Sequence, residues 1–128
     1  MLLVKTKIGP SKINGIGLFA DEFIQKGALV QKFIDGVDLE IEQELVDSLP
    51  EPVKSAVLHY AYKNKLIGKY ILNSDDVRFL NHSDNPNLIG DESNKEADIA
   101  ARDIKKGEEL TVNYTEFDAD FDYKMSLH

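Results

Sequence analysis

The sequence predicts a mostly β domain with a small helical insert, on three observations. Short apolar runs are cut by glycine and proline turns over the first 36 residues and again from Lys69 onward. A helical period is confined to the middle, where prolines bracket it. A strand–turn–strand pattern, I-x-K-G-x-x-(V/L), occurs twice, at Ile24–Val30 and Ile104–Leu110, each with an alanine four residues before the isoleucine. An apolar anchor followed by a glycine able to take positive φ makes a corner, so two similar corners are expected.

Taken in order, Leu2–Ile8 mixes β-branched residues with lysines and ends at Gly9-Pro10-Ser11, a strand leading into a turn. Gly15–Ala20 and Ala28–Ile34 read as further strands. Leu39–Leu49, closed by Pro50, reads as a short helix or turn, and Pro52 opens a helix expected over about 52–63, with Val53, Ala56, Val57 and Tyr60 on one face. Strand patterning returns at Lys69–Asn73, at Ala97–Ala101 and at Leu110–Asn113, the last ending on Tyr114.

A chain of 128 residues with 42% apolar and 30% charged residues suits one globular domain with a single core. It holds no cysteine, which excludes disulfides, thiolate zinc sites and a cysteine nucleophile. No apolar run reaches membrane-spanning length. The N-terminal stretch carries lysines among its apolar residues and lacks a signal-peptide pattern, so a cytoplasmic protein is expected. The formal net charge of −8 gathers at 35–51 and 116–122. Such a surface repels phosphate backbones, which argues against nucleic-acid binding, and it favours a basic partner.

The chemistry-bearing residues fall in three segments. Gly15-Ile16-Gly17 lets a backbone approach a ligand, yet with no third glycine or following helix it is not a dinucleotide fingerprint. Arg78–Asn87 (RFLNHSDNPN) runs from an apolar pair into a knot of asparagines, a histidine and a serine, whose buried amides would need partners and could hold a polar ligand. His82 lacks metal-site spacing, and Ser83 lacks a nucleophile elbow. Gly107–Tyr114 (GEELTVNY) ends a strand on a tyrosine able to offer its hydroxyl to a reacting centre.

Together these segments resemble the SET family of S-adenosylmethionine-dependent protein-lysine methyltransferases. The family's G-x-G-(V/L)-F-A and I-x-K-G pieces match Gly15–Ala20 and Ile24–Gly27, R-F-x-N-H-S-x-x-P-N matches Arg78–Asn87, and A-x-x-x-I-x-x-G-E-E-L-T-x-x-Y matches Ala100–Tyr114. The resemblance implies a single SET (β-clip) domain of several short sheets, with a knot-like threading of its C-terminal segment, of the short stand-alone type. Residues 37–67 would form a variable, partly helical insert, and 115–128 a tail completing the site. It further implies S-adenosylmethionine as cofactor, held by Ile16, Gly17, Asn81, His82, Tyr114 and Phe117. Tyr114 would be the catalytic residue, Tyr70 and Val112 would line the way for the substrate lysine, and no metal would be needed. The partner would be a protein with an accessible lysine. The resemblance departs from the family pattern at Asp84, where a cysteine is frequent, at Asn113, where an aspartate is frequent, and at Val112, where an aromatic often limits methyl number. A non-catalytic module that binds basic segments through its acidic surface is the other reading. A β-clip domain of the kind found beside sugar-acid synthases would lack the N-H-S segment.

Overall fold

The computed structural model describes residues 1–65 and 67–116, with the side chain of Lys95 left aside. It is mostly β. Strands β1 (Thr6–Pro10) and β2 (Ile16–Ala20) form an antiparallel hairpin with Thr6 opposite Ala20 and Pro10 opposite Ile16. The first strand was expected from Leu2; instead Leu2 makes only a bridge to Gln31, and the ladder runs on to Pro10. Proline is tolerated there because a two-stranded sheet consists of edges. The reversal falls at 11–15: Ser11 N donates to Gly15 O at 2.9 Å, and Gly15 takes a φ of 50°.

Strand β3 (Leu29–Lys32) leads to the insert. There β4 (Leu39–Ile41) precedes helices α1 (Gln43–Ser48) and α2 (Glu51–Tyr60), followed by β5 (Tyr62–Lys63) and β6 (Tyr70–Leu72). The sheet order is β4-β6-β5. The start of the expected helix-or-turn is thus a strand, because Leu39 and Ile41 pair with Leu72 and Tyr70. Helix α2 ends at Tyr60 rather than Lys63, since Ala61 turns extended (ψ 160°) and sends Tyr62 and Lys63 into the ladder with β6. Val46, Ala61 and Tyr70 form a small core of their own there.

A 3₁₀ turn, Asp76–Phe79, leads into β7 (Asn81–His82). Strands β8 (Leu88–Asp91) and β9 (Asn94–Ala100) form a hairpin completing the sheet β3-β9-β8. Strand β10 (Thr111–Val112) then lies parallel to β7, with Asn81 opposite Thr111 and His82 opposite Val112. A last 3₁₀ turn covers Tyr114–Glu116. The main core joins the hairpin, the corners and the final strands through Leu18, Val30, Leu88, Ile104 and Leu110, all at most 1% exposed.

The two I-x-K-G corners pack on one another, and their bonds are reciprocal. Ile24 N donates to Ile104 O (2.9 Å) and Ile104 N to Ile24 O (2.8 Å); Gly27 N donates to Ala100 O as Gly107 N does to Ala20 O, both at 2.8 Å. Ala20 N and Ala100 N bond the carbonyls of Glu108 and Ala28 in the same way. The glycines take φ of 85° and 95°, where a side chain would be strained. The sequence echo is a local pseudo-twofold, and it delivers β2 and β10 to the same region.

Candidate active site

A cleft of about 1090 Å³ opens between the 13–16 turn, the Arg78–His82 segment, the β8–β9 hairpin and Tyr114. The motifs separated in sequence therefore share one wall. Ile16 lines the cleft and is half exposed, whereas Gly17 is buried one residue behind it.

Asn81 is the joint. Its side-chain NH2, with two hydrogens to share, lies 3.1 Å from Ser11 Oγ, 3.0 Å from Asn14 O and 2.9 Å from Glu109 Oε2, with Ile16 O at 3.4 Å. Ser11 Oγ in turn donates to the Glu109 carboxylate, 2.8 and 2.9 Å from its two oxygens. The same hydroxyl accepts from Ile13 N and Asn14 N, closing the turn. A Cβ on Gly17 would stand 2.5 Å from Glu109 Oε2 and 2.8 Å from its Cδ. A side chain at 17 would therefore push the carboxylate away from Ser11 and Asn81. The sequence reading missed Glu109, whose place in G-E-E-L looks like an ordinary exposed acid.

His82 is held at both ring nitrogens. Nδ1 accepts from Tyr114 N at 3.1 Å, which requires it to be unprotonated, so Nε2–H faces Asp84 Oδ1 at 2.8 Å. This arrangement orients a ring; it leaves neither nitrogen to take a proton from a substrate. Ser83 Oγ accepts from Asn85 N at 3.1 Å, and Ser83 N donates to Val112 O at 2.9 Å, so that serine is a turn former. The Tyr114 hydroxyl donates to Leu80 O, and its ring packs 5.8 Å from His82 at a tilt of 56°. Two oxygens, a phenolic and a carbonyl one, thus lie together where β7 and β10 meet.

Asn87 fastens the two segments from behind. It is 2% exposed; its amide donates to Glu109 O (2.8 Å), its Oδ1 accepts from Thr111 N (2.9 Å), and its backbone N donates to Thr111 Oγ1 (3.2 Å). Val112, 3% exposed, lines the cleft. Tyr70 does not. As part of the central strand of the insert sheet, it is 6% exposed and packs with Val46 and Ala61, away from the cleft lining. The cleft aromatics from the insert are instead Tyr60 and Tyr62. Phe117 lies outside the described residues.

The cleft lining is predominantly acidic. Its one lining guanidinium or ammonium among the described residues is Arg78, which stacks 4.6 Å over the Tyr60 ring and 5.4 Å from that of Phe79. The same cleft is lined by Asp91, Glu92, Glu96, Asp98 and Glu116. Asp98 is enclosed by protein and reaches water through the cleft. Burial pushes its carboxyl up to about 6; the hydrogen bond from Gln31 Nε2 (2.5 Å) opposes this, and the nearby Glu116 charge adds to it.

The SET domain family matches residues 15–115, most of the chain. The chain belongs to the SET-domain family. Human histone-lysine N-methyltransferase 2D is 28% identical over 124 residues, covering 92% of this chain and 2% of that protein. The H3 lysine-4 specific histone-lysine N-methyltransferase of Schizosaccharomyces pombe is 32% identical over 115 residues, with 83% and 12% covered. ASHR3 of Arabidopsis thaliana, also a histone-lysine N-methyltransferase, is 32% identical over 117 residues, with 86% and 23% covered. This SET chain thus spans a small part of the length of these relatives. Its fold is also that of the Neurospora SET domain protein DIM-5, a histone lysine methyltransferase (TM-score 0.57, 24% identity, 88% of this chain and 53% of that one). A chain of the Chaetomium thermophilum Polycomb Repressive Complex 2 matches with a TM-score of 0.62 at 23% identity, over 91% and 15% of the two chains. Among the described residues, no helix is long and apolar enough to cross a membrane.

Proposed function

We propose that this SET domain transfers a methyl group from S-adenosylmethionine to the side-chain amine of a lysine in a protein substrate. The observation that carries the reading is the convergence of the 13–16 turn, Asn81–His82 and Tyr114 on one cleft, with the Tyr114 hydroxyl against Leu80 O.

The residues present fit the cofactor. Arg78 suits a carboxylate; the 13–16 backbone, held by Asn81, suits a small amino-acid moiety; Ile16 and Phe79 offer apolar cover. When bound, the cofactor would supply an electrophilic methyl on a cationic sulfonium. Around such a methyl, the carbonyl of Leu80 and the hydroxyl of Tyr114 present partial negative charge, fixed before reaction. His82 fixes the Tyr114 backbone and so the aim of that hydroxyl. The lysine must arrive neutral, against a reference pKa of about 10.4. Enclosure of the amine beside the buried Val112, and a cationic sulfonium close by, would disfavour its ammonium form. What remains is in-line displacement, for which alignment is the main requirement. An intracellular, cytoplasmic setting, with cofactor and lysine-rich proteins at hand, goes with this reading.

The test is titration calorimetry with S-adenosylmethionine, together with transfer of a labelled methyl to lysate proteins. Cofactor binding and methyl transfer are expected, with transfer falling about 100-fold in Tyr114→Phe. Transfer unchanged by Tyr114→Phe together with Asn81→Ala would remove the assigned site. A chain that binds basic peptides but no cofactor would be a binding module instead.

A further inference from the structure

Gln31, Asp98 and Gly90 lie across the three strands of sheet β3-β9-β8, with Gly90 directly opposite Asp98. Side chains on alternate residues share a face. Asp98 thus lies on the face of Ala100 and Leu88, both 1% exposed, where the core gives way to the cleft. Gln31 Nε2 satisfies Oδ2 of Asp98; Oδ1 has no hydrogen-bond partner among the described residues and is left to the cleft. Beside it is room, since a Cβ on Gly90 would meet nothing within 4 Å. Glu96 on β9 and Glu116 after Tyr114 line the same cleft, whose one lining guanidinium or ammonium among the described residues, Arg78, is stacked on Tyr60. No group of three or more metal-ligating side chains among the described residues is arranged to hold an ion.

From this geometry we infer that Asp98 is a specificity-determining residue: it receives a second basic side chain of the protein substrate, one that flanks the target lysine, in the space over Gly90. The inference rests on the methyl-transfer reading and names what that site selects. The target lysine is the wrong guest for this carboxylate, because it must be neutral to react and a carboxylate stabilises the ammonium. A flanking arginine or lysine stays charged throughout and gains a partly desolvated, charge-assisted hydrogen bond.

The experiment uses the whole chain and two short peptides with a central lysine, one flanked by arginines and one with citrulline, the neutral isostere, in their place. Binding is measured by calorimetry, with S-adenosylhomocysteine titrated separately. The wild-type protein should prefer the arginine peptide by about tenfold. That ratio should fall several-fold in Asp98→Asn, and likewise as pH drops through 6 in the wild type only, since Gln31, Asp91, Glu92, Glu96 and Glu116 remain in both proteins. Gly90→Leu should weaken the arginine peptide by occupying the space, without a shift in unfolding midpoint. An arginine-to-citrulline ratio unchanged by Asp98→Asn, or equal losses on both peptides, would overturn the inference. Failure to bind S-adenosylhomocysteine would instead remove the methyl-transfer reading, while the peptide ratio still decides the role of Asp98.

Discussion

Replacing Gly17 by alanine should cost far more than one methyl group suggests, and most of the cost should disappear when Glu109 is absent. The added Cβ would sit 2.5 Å from Glu109 Oε2 and 3.1 Å from Ser11 Cβ, so the carboxylate must leave. In leaving it gives up Ser11 Oγ, 2.8 and 2.9 Å away, and the Asn81 amide at 2.9 Å. Hydrogen bonds to charged groups contribute about 1.5–3 kcal/mol each. Water replaces some of this at a half-buried site, so a total of roughly 2–3 kcal/mol is expected, about 30- to 150-fold in the folding equilibrium. Gly17 does not have positive φ, so alanine meets no backbone strain. In a Glu109→Ala background only the Ser11 Cβ contact at 3.1 Å remains, so the same substitution should cost less than about 1 kcal/mol, the reduced flexibility of the unfolded chain offsetting part of it. Urea denaturation of the four proteins measures this cycle. Equal costs of Gly17→Ala with and without Glu109 would refute the clearance argument.

The other expectations concern single groups. Tyr114→Phe removes the bond to Leu80 O, and it should lower methyl transfer about 100-fold while costing stability only about 1 kcal/mol by denaturation. Asn87→Ala strips the buried bonds to Glu109 O and Thr111 N, and should cost about 2–4 kcal/mol, read as a lowered urea midpoint. Burial alone would raise the Asp38 carboxyl, but bonds from Ile34 N, the Met1 ammonium, Ser74 N and Asn73 hold it below its ordinary value. Its contribution should therefore be complete above about pH 4 and lost as pH falls further, a slope that Asp38→Asn flattens. Asp98 has the opposite sign: because burial raises its carboxyl to about 6, the native state binds the extra proton, and stability should fall by about 3 kcal/mol as pH rises from about 4 to 6. Asp98→Asn should remove that fall and be the more stable protein at neutral pH.

How much of this was legible in the sequence depended on the range of the interaction that decides each feature. The corners were, because glycine at 27 and 107 and the anchoring isoleucines are local requirements repeated in the chain. So was the asparagine knot: buried amides demand partners, and Asn81 and Asn87 found theirs. Glu109 was not, because its partner Ser11 is 98 positions away and nothing nearby marks the acid as structural. The placement of Tyr70 depended on which strand sits centrally in the insert sheet, and a three-residue strand carries no sign of that. Net charge suggested a basic partner, but the gathering of Asp91, Glu92, Glu96, Asp98 and Glu116 on one cleft exists only once β8, β9 and Tyr114–Glu116 are brought together.

Asp98 is the point where stability and the proposed activity pull apart. A carboxylate on the core face of a sheet, with only Gln31 as its hydrogen-bond partner among the described residues, is costly when charged. Asn81, Asn87 and Glu109, by contrast, are satisfied by the fold itself and would persist in a protein that bound nothing. A group that the fold leaves half satisfied beside open space is better explained by a guest than by the fold. The two kinds of residue are separable in one measurement: substituting the satisfied ones should lower stability and cofactor affinity together, whereas Asp98→Asn should raise stability while lowering the preference for arginine-flanked lysine. Movement of both quantities in the same direction would assign Asp98 to the scaffold.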